Sequence, residues 1–206
     1  MQVVPGIEYV DETSPAHIYV LDDGGEITLI DAGLPNEAPK VLAYLEQTGR
    51  TPQQVKRILL THRHGDHAGA VKDLVAATGA PVYAHGDEAD ALAQQPDGVQ
   101  GIRRLEDGAV IPVFEGLRAI ATPGHTSGHL CFYLPEKKVL FTGDAMLNRG
   151  GVSGPNPQFT PDAQRAHASL REKIAPLEVE TLCVAHGDVI ASGAGPQIRQ
   201  AISALS

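Results

Sequence analysis

Short apolar runs separated by turn-forming residues dominate the start of the chain, and this pattern indicates β-strands. The runs Ile7 to Val10, Ala16 to Leu21 and Glu26 to Asp31 have the length and the side-chain types of strands. The segment Asp22 to Gly25 consists of aspartate and glycine, which is the composition of a tight hairpin turn. The chain is therefore expected to begin as an antiparallel meander.

The spacing of apolar residues then changes to that of a helix. Val41 and Leu45 share one face of a helix predicted over 37–48, and Asn36 is its expected cap. The apolar run Ile58 to Leu60 predicts a buried strand, which ends just before a cluster of histidines.

The second half of the chain repeats the order of strands followed by helices. Polar and glycine-bearing residues over 94–108 predict a long connection, and Thr160 is the expected cap of a later helix. Two mixed sheets with helices on their outer faces would cover all of these elements. The remaining predicted elements are strands over 81–84, 109–113, 117–121, 129–134, 138–142 and 181–185, and helices over 68–78, 87–93, 161–176 and from 195 onwards.

Composition narrows the class of protein. With 206 residues, the chain is expected to form one domain over 1–206, and its net charge of -9 argues against nucleic acid and anionic membranes as partners. The start of the chain has neither a basic segment nor an apolar core of a signal peptide, so a cytoplasmic location is expected. Cys131 and Cys183 each stand in an apolar run, which predicts two buried thiols and no disulfide.

The chemistry begins directly after the strand at Ile58 to Leu60. His62, His64, Asp66 and His67 stand within six consecutive positions. Side chains two apart in an extended loop point the same way, so His62 and His64 can bind one metal ion. Asp66 and His67 then point elsewhere and can bind a second ion.

Three further polar residues follow apolar runs in the second half of the chain. They are His125 after Pro123-Gly124, Asp144 after Gly143, and His186 after Ala185. A single His or Asp in a glycine-flanked loop is more often a turn or hydrogen-bonding residue. Strand ends that deliver all three to a common rim would instead assemble a site on a rigid scaffold, and their occurrence beside the first cluster favours a metal site.

In the order and spacing of these motifs, the chain resembles the metallo-β-lactamase superfamily over nearly its whole length. The resemblance implies an α+β fold, a four-layer αβ/βα sandwich of two mixed sheets with outer helices. It also implies a two-metal site in which Asp144 bridges the ions. Asp31 looks like the family's aspartate that orients a ligand histidine, while His129 lies under the site or is a hydrogen-bonded core residue. The implied ligands are His62, His64 and His125 for the first metal and Asp66, His67 and His186 for the second.

Differences between this sequence and individual branches of the superfamily narrow the choice of branch. Antibiotic-cleaving members generally lack the bridging aspartate and are exported, and diiron relatives carry Glu where His64 stands. Glyoxalase II-like thioesterases share the ligand set and the Gly-His-Thr-x-Gly-His motif found at 124–129. They also carry a basic and aromatic glutathione-binding segment, where this chain reads Asn148 to Ser153, and a helical extension. Lactonases often place a Tyr at the position of Leu147.

The expected function is that of a dinuclear metal hydrolase in the glyoxalase II-like or lactonase-like branch. Two divalent ions, zinc first with iron or manganese as alternatives, would supply a metal-bridging hydroxide that attacks an ester, lactone or thioester carbonyl. Asp66 and Asp144 would orient the water or relay its proton. The rival is a mononuclear-iron persulfide dioxygenase using His62, His125 and Asp144, and a phosphodiesterase or a non-catalytic metal-binding protein are further options. A small molecule is the expected partner, and the oligomeric state stays open, with a homodimer as one option.

Overall fold

The computed structural model describes residues 1–11, 13, 15–95 and 98–205. The chain forms two compact units, residues 1–104 and 105–206. Each unit contains its own sheet and helices, so each is described by itself. The expected organisation as one domain over 1–206 stays a prediction.

The sheet of the first unit joins an antiparallel meander to a parallel section. The described residues form seven strands that lie side by side in the order of the sequence. The pairs from β1 to β4 are antiparallel, and β5 lies between β4 and β6 and runs parallel to both. The strands are β1 (Gln2–Val4), β2 (Ile7–Tyr9), β3 (Tyr19–Asp23), β4 (Glu26–Ile30), β5 (Val55–Leu59), β6 (Val82–His85) and β7 (Arg103–Leu105).

The predicted meander and its hairpin are confirmed, although β3 begins at Tyr19 rather than at Ala16. Gly24 and Gly25 connect β3 to β4 with φ angles of 64° and 93°. A two-residue hairpin turn of this kind needs positive φ at both central positions, which glycine adopts without steric cost. The register that follows pairs Leu21 with Thr28 and Tyr19 with Ile30.

The helices of the first unit are α1 (Ala38–Gln47), α2 (Gly65–Ala68), α3 (Val71–Thr78) and α4 (Gly86–Ala93). The single helix predicted over 68–78 is wrong at its start, because Ala70 donates its N–H to Gly33 O at 3.1 Å and so leaves the helical ladder. A Cβ at Gly69 would lie 2.3 Å from Gly65 O and 2.6 Å from Pro35 Cδ, so glycine is needed for this close approach.

The predicted cap of α1 is also wrong. Glu37, not Asn36, occupies the cap position, and no side-chain cap bond is made. The Glu37 carboxylate instead accepts the N–H of Leu34 at 3.0 Å. Beneath the helices, apolar side chains such as Leu29, Ile58, Leu60 and Leu74 are fully buried in one cluster. Each such side chain stabilises the fold by roughly 1.5–3 kcal/mol, which holds the ends of β4 and β5 in place.

The sheet of the second unit has the order β14-β11-β10-β9-β8, and β12 and β13 form a separate two-stranded ribbon. β11 and β14 are parallel, whereas the other pairs of this sheet are antiparallel. β10, β11 and β14 are buried along their whole length. The elements are β8 (Val110–Ile111), β9 (Leu117–Ala121), β10 (Leu130–Leu134), β11 (Val139–Gly143), β12 (Leu147–Asn148), β13 (Val152–Ser153), α5 (Ala163–Ser169), β14 (Thr181–Val184) and α6 (Ala194–Ser203).

Two predictions for this half of the sequence need correction. The helix predicted over 161–176 with Thr160 as its cap begins instead at Ala163, because Asp162 accepts the N–H of Arg165 at 3.0 Å and caps it. The turn at Leu170–Ile174 then continues α5 with a wider, π-type spacing. The connection predicted over 94–108 contains β7, while Pro96 and Asp97 within it lie outside the described residues.

The expectation for the two cysteines is met. Cys131 and Cys183 are buried free thiols, and burial raises the pKa of Cys131 to about 12. Among the described residues, no helix is long and apolar enough to cross a membrane.

Candidate metal centre

The loop after β5 and the short helix α2 carry the ligand candidates of the first unit. His62 and His67 are fully buried, while His64 and Asp66 are partly exposed. His62 Nε2 lies 3.0 Å from His64 Nδ1, and His67 Nε2 lies 3.7 Å from Asp66 Oδ2. The structure therefore places His62 beside His64, and Asp66 beside His67.

These separations fit metal ligands. Donor atoms placed tetrahedrally around zinc at 2.0–2.1 Å stand about 3.3 Å apart, and the observed 3.0 and 3.7 Å bracket that value. The donor set of imidazole nitrogens and a carboxylate oxygen is also one that zinc prefers.

Asp31 fixes the orientation of His67. It lies just beyond β4 with a φ of 66°, a left-handed conformation that Asp tolerates better than most residues and that costs about 1–3 kcal/mol. Its Oδ2 atom accepts a hydrogen bond from His67 Nδ1 at 2.8 Å. Because Nδ1 then carries the proton, Nε2 is the nitrogen with a lone pair for a metal.

Thr61 orients the other buried histidine of this loop, and the sequence reasoning missed it. Its hydroxyl lies 2.9 Å from Asp31 Oδ2 and 3.1 Å from His62 Nδ1. A hydroxyl has one proton, and Thr61 donates it in a hydrogen bond to the Asp31 carboxylate. The Thr61 oxygen therefore accepts a hydrogen bond from His62 Nδ1, which leaves the lone pair of that imidazole on Nε2. The sequence feature that could have identified Thr61 is a hydroxyl residue placed between a buried strand and the ligand motif.

Asp144 joins two histidines in the second unit. It follows β11, and its Oδ2 lies 3.3 Å from His125 Nε2 while its Oδ1 lies 3.1 Å from His186 Nε2. Both distances again match neighbouring ligands on one ion. Each carboxylate oxygen of Asp144 faces a different imidazole.

His125 is oriented by Thr160, the residue wrongly predicted as a helix cap. The Thr160 hydroxyl donates to Asn156 O at 2.7 Å, so it accepts from His125 Nδ1, which lies at 3.2 Å. Gly124 allows this loop to approach α5, because a Cβ there would lie 2.3 Å from Ala166 N. The His125 nitrogen that faces Asp144 is consequently Nε2.

His129 is fully buried and hydrogen-bonded at both nitrogens. Its Nε2 accepts the backbone N–H of Asp144 at 3.2 Å, so its Nδ1 carries the proton and donates to Thr122 Oγ1 at 2.8 Å. His129 is therefore a hydrogen-bonded core residue, and its imidazole accepts a hydrogen bond from the backbone of Asp144.

Groups of histidine and aspartate that could hold a metal ion are thus present in the structure. The individual ligand assignments, the catalytic roles of Asp66 and Asp144, and the identity of the metal stay predictions. Glu88 is a further buried acidic residue at the ligand loop that the sequence reasoning missed. The sequence feature that could have identified Glu88 is its position on the same face of α4 as the buried Ala89 and Leu92, where a charged side chain is unusual.

A family model described as the metallo-beta-lactamase superfamily matches residues 12–186. The chain is 28% identical to the probable metallo-hydrolase YflN of Bacillus subtilis, over 89% of this chain and 81% of that protein. It is 37% identical to a hydroxyacylglutathione hydrolase of Cereibacter sphaeroides, over 82% of this chain and 60% of that enzyme. The chain spans between 51% and 60% of the length of five curated relatives.

The solved structures agree with the sequence relatives. A metallo-beta-lactamase family protein of Thermus thermophilus, TTHA1429, superimposes with a TM-score of 0.79 at 27% identity, over 98% of this chain and 78% of that one. These matches confirm the predicted α+β fold of two mixed sheets with helices. The names of the Bacillus and Cereibacter relatives describe those two proteins as hydrolases. On this evidence, the chain belongs to the metallo-β-lactamase superfamily.

Proposed function

We propose that this chain is a dinuclear metal hydrolase, with zinc as the first candidate metal, that cleaves the ester, lactone or thioester carbonyl of a small molecule. The observation that carries the proposal is the Asp144 carboxylate, with one oxygen towards His125 and the other towards His186. A carboxylate in that position can serve two ions at once. In this proposal, which follows the family resemblance, one ion is held by His62, His64 and His125. The other is held by Asp66, His67 and His186, and Asp144 bridges the two.

Two divalent ions bound to these residues would lower the pKa of a water molecule towards about 7 and polarise a carbonyl oxygen. The side chains of the protein prepare the site for that chemistry. Asp31, Thr61 and Thr160 each hold a histidine with Nδ1 protonated, so that the neutral imidazole presents Nε2. Asp66 and Asp144 are partly exposed carboxylates, and in the proposal they orient the attacking water and accept its proton.

The proposal needs no covalent nucleophile from the protein. Burial raises the pKa of the Cys131 thiol to about 12, so it is neutral at physiological pH, and Cys183 is also buried. A buried neutral thiol does not attack a substrate.

We infer the substrate class from the net charge of the chain and from the name of the Cereibacter relative. The Cereibacter relative is named for a hydroxyacylglutathione, an acyl compound, and we carry over the acyl class only. Residues Asn148–Ser153 after Asp144 include Arg149 but no aromatic side chain, which does not support a glutathione site. A net charge of -9 would slow the approach of a phosphodiester anion. The proposed partner is therefore a small acyl compound, with neither nucleic acid nor membrane involved.

A substrate panel tests this proposal. Wild type and His62→Ala are assayed with p-nitrophenyl esters, short-chain lactones, glutathione thioesters, bis-p-nitrophenyl phosphate and glutathione persulfide. We expect metal-dependent cleavage of esters, lactones or thioesters by the wild type only. Cleavage confined to the phosphodiester, or oxygen uptake with the persulfide, would contradict the carbonyl hydrolase.

A further inference from the structure

The backbone of the ligand loop is held from both sides by buried carboxylates. The loop follows β5, which lies between β4 and β6 in the sheet. Asp31, just after β4, accepts the N–H of Thr61 at 2.8 Å. Glu88, on the helix that follows β6, accepts the N–H of Arg63 at 2.9 Å. Two N–H groups of the loop, those of Thr61 and Arg63, are therefore bound from opposite sides of β5, one from the β4 side and one from the β6 side.

Glu88 holds both ends of Arg63. Besides the backbone N–H, its two carboxylate oxygens accept hydrogen bonds from Arg63 Nη1 at 2.9 and 3.0 Å. The Glu88 side chain has no exposed surface, and a buried carboxylate is stable only when it is paired and hydrogen-bonded. These contacts fix the residue that separates His62 from His64.

We propose that Glu88 is a positioning residue that sets the metal affinity of His62 and His64. The inference rests on the proposed function, because it takes this loop to bind metal. The N–H that Glu88 accepts belongs to the peptide linking His62 to Arg63, so a rotation of that peptide would separate the two imidazoles. A metal site tolerates displacements of only about 0.5 Å, which makes a fixed peptide valuable for binding.

A purely structural ion pair is the alternative, and Glu37 provides a matched control for it. Glu37 is also buried, accepts the N–H of Leu34 at 3.0 Å and pairs with Lys40 at 3.2 Å. Its backbone partner belongs to a loop segment without a ligand candidate. Glu37→Ala therefore removes the same kind of interaction and should lower thermal stability without loosening His62 and His64.

The test measures zinc affinity by competition with a chromogenic chelator, at a temperature where every variant is folded, and records the visible spectrum of the cobalt-loaded protein. We expect Glu88→Ala to weaken zinc binding by about 10–100-fold and to alter the cobalt spectrum. Glu88→Gln should lose less, because its amide oxygen can still accept the Arg63 N–H. Glu37→Ala should keep the affinity and the spectrum of the wild type.

A double variant covers the case in which Glu88→Ala does not fold. Arg63→Met with Glu88→Met replaces both charges by apolar side chains, which avoids an unpaired buried charge, and it should still lose zinc affinity. Wild-type affinity in the Glu88 variants, or an equal loss in Glu37→Ala, would overturn the inference while leaving the proposed function intact. Absence of metal binding by the wild type would overturn both.

Discussion

Asp31 Oδ2 lies 2.8 Å from His67 Nδ1, although the two residues are far apart in sequence. The parallel pairing of β4 with β5 brings the end of one strand beside the loop that follows the other. Asp31 keeps a left-handed backbone conformation in that position. Strain of this kind persists where the surrounding structure over-determines it, often at functional sites.

This pair leads to the first prediction. In Asp31→Asn, Oδ1 would still accept the Thr61 N–H, and the amide nitrogen would then face His67 Nδ1. The imidazole would have to accept there and carry its proton on Nε2, which cannot bind a metal. We expect zinc affinity to fall by about 10–100-fold with little loss of stability, because Asn also tolerates the left-handed backbone. Chelator competition and thermal melting measure the two effects, and unchanged affinity would refute the assigned role.

The second prediction concerns Asp144. Asp144→Asn should lower the metal content and abolish turnover, because an amide replaces the anion that faces both His125 and His186. Asp162→Asn is the control in the same unit, since Asn caps α5 as well as Asp does. Elemental analysis of both variants decides the matter, and a normal metal content with near-normal activity in Asp144→Asn would show that Asp144 is no bridge.

Thr160 provides a prediction about orientation. Thr160→Val keeps the shape of the side chain but removes the acceptor for His125 Nδ1. Thr181→Val is the matched control, because the buried Thr181 hydroxyl donates to the backbone carbonyl of Ala191, away from the ligand candidates. Both variants should lose about 1–3 kcal/mol of stability, and only Thr160→Val should also lose zinc affinity. Equal zinc affinities in the two variants would argue against this role of Thr160.

The next prediction concerns pH and lies outside the candidate site. Hydrogen bonding from Arg50 holds the pKa of Glu8 below its ordinary value of 4.5. A carboxylate with a lowered folded-state pKa stabilises the protein above the unfolded pKa and loses that contribution as pH falls through the folded pKa. Glu8→Gln should therefore be less stable than the wild type at pH 7, and the gap should shrink as pH falls below 4.5. Urea unfolding at several pH values tests this, and a gap independent of pH would contradict it.

The sequence was most informative where side chains act through local spacing. The alternation of His62 and His64 after a buried strand predicts the pair that lies 3.0 Å apart. The helix break after Gly69 was not predictable, because it depends on a hydrogen bond from Ala70 to the distant carbonyl of Gly33. The contacts of Glu88 and of Thr160, which was expected to be a helix cap, were not predicted for the same reason. Each acts through a tertiary contact, with His125 or with Arg63, that local propensity does not encode.

We propose that this chain binds two metal ions through Asp144, and anomalous X-ray diffraction from zinc-loaded crystals tests this proposal most directly. Data collected on both sides of the zinc absorption edge should give two peaks per chain, about 3.5–4 Å apart, with the Asp144 carboxylate between them. A single peak bound by His62, His125 and Asp144, or no peak at these residues, would contradict the dinuclear site.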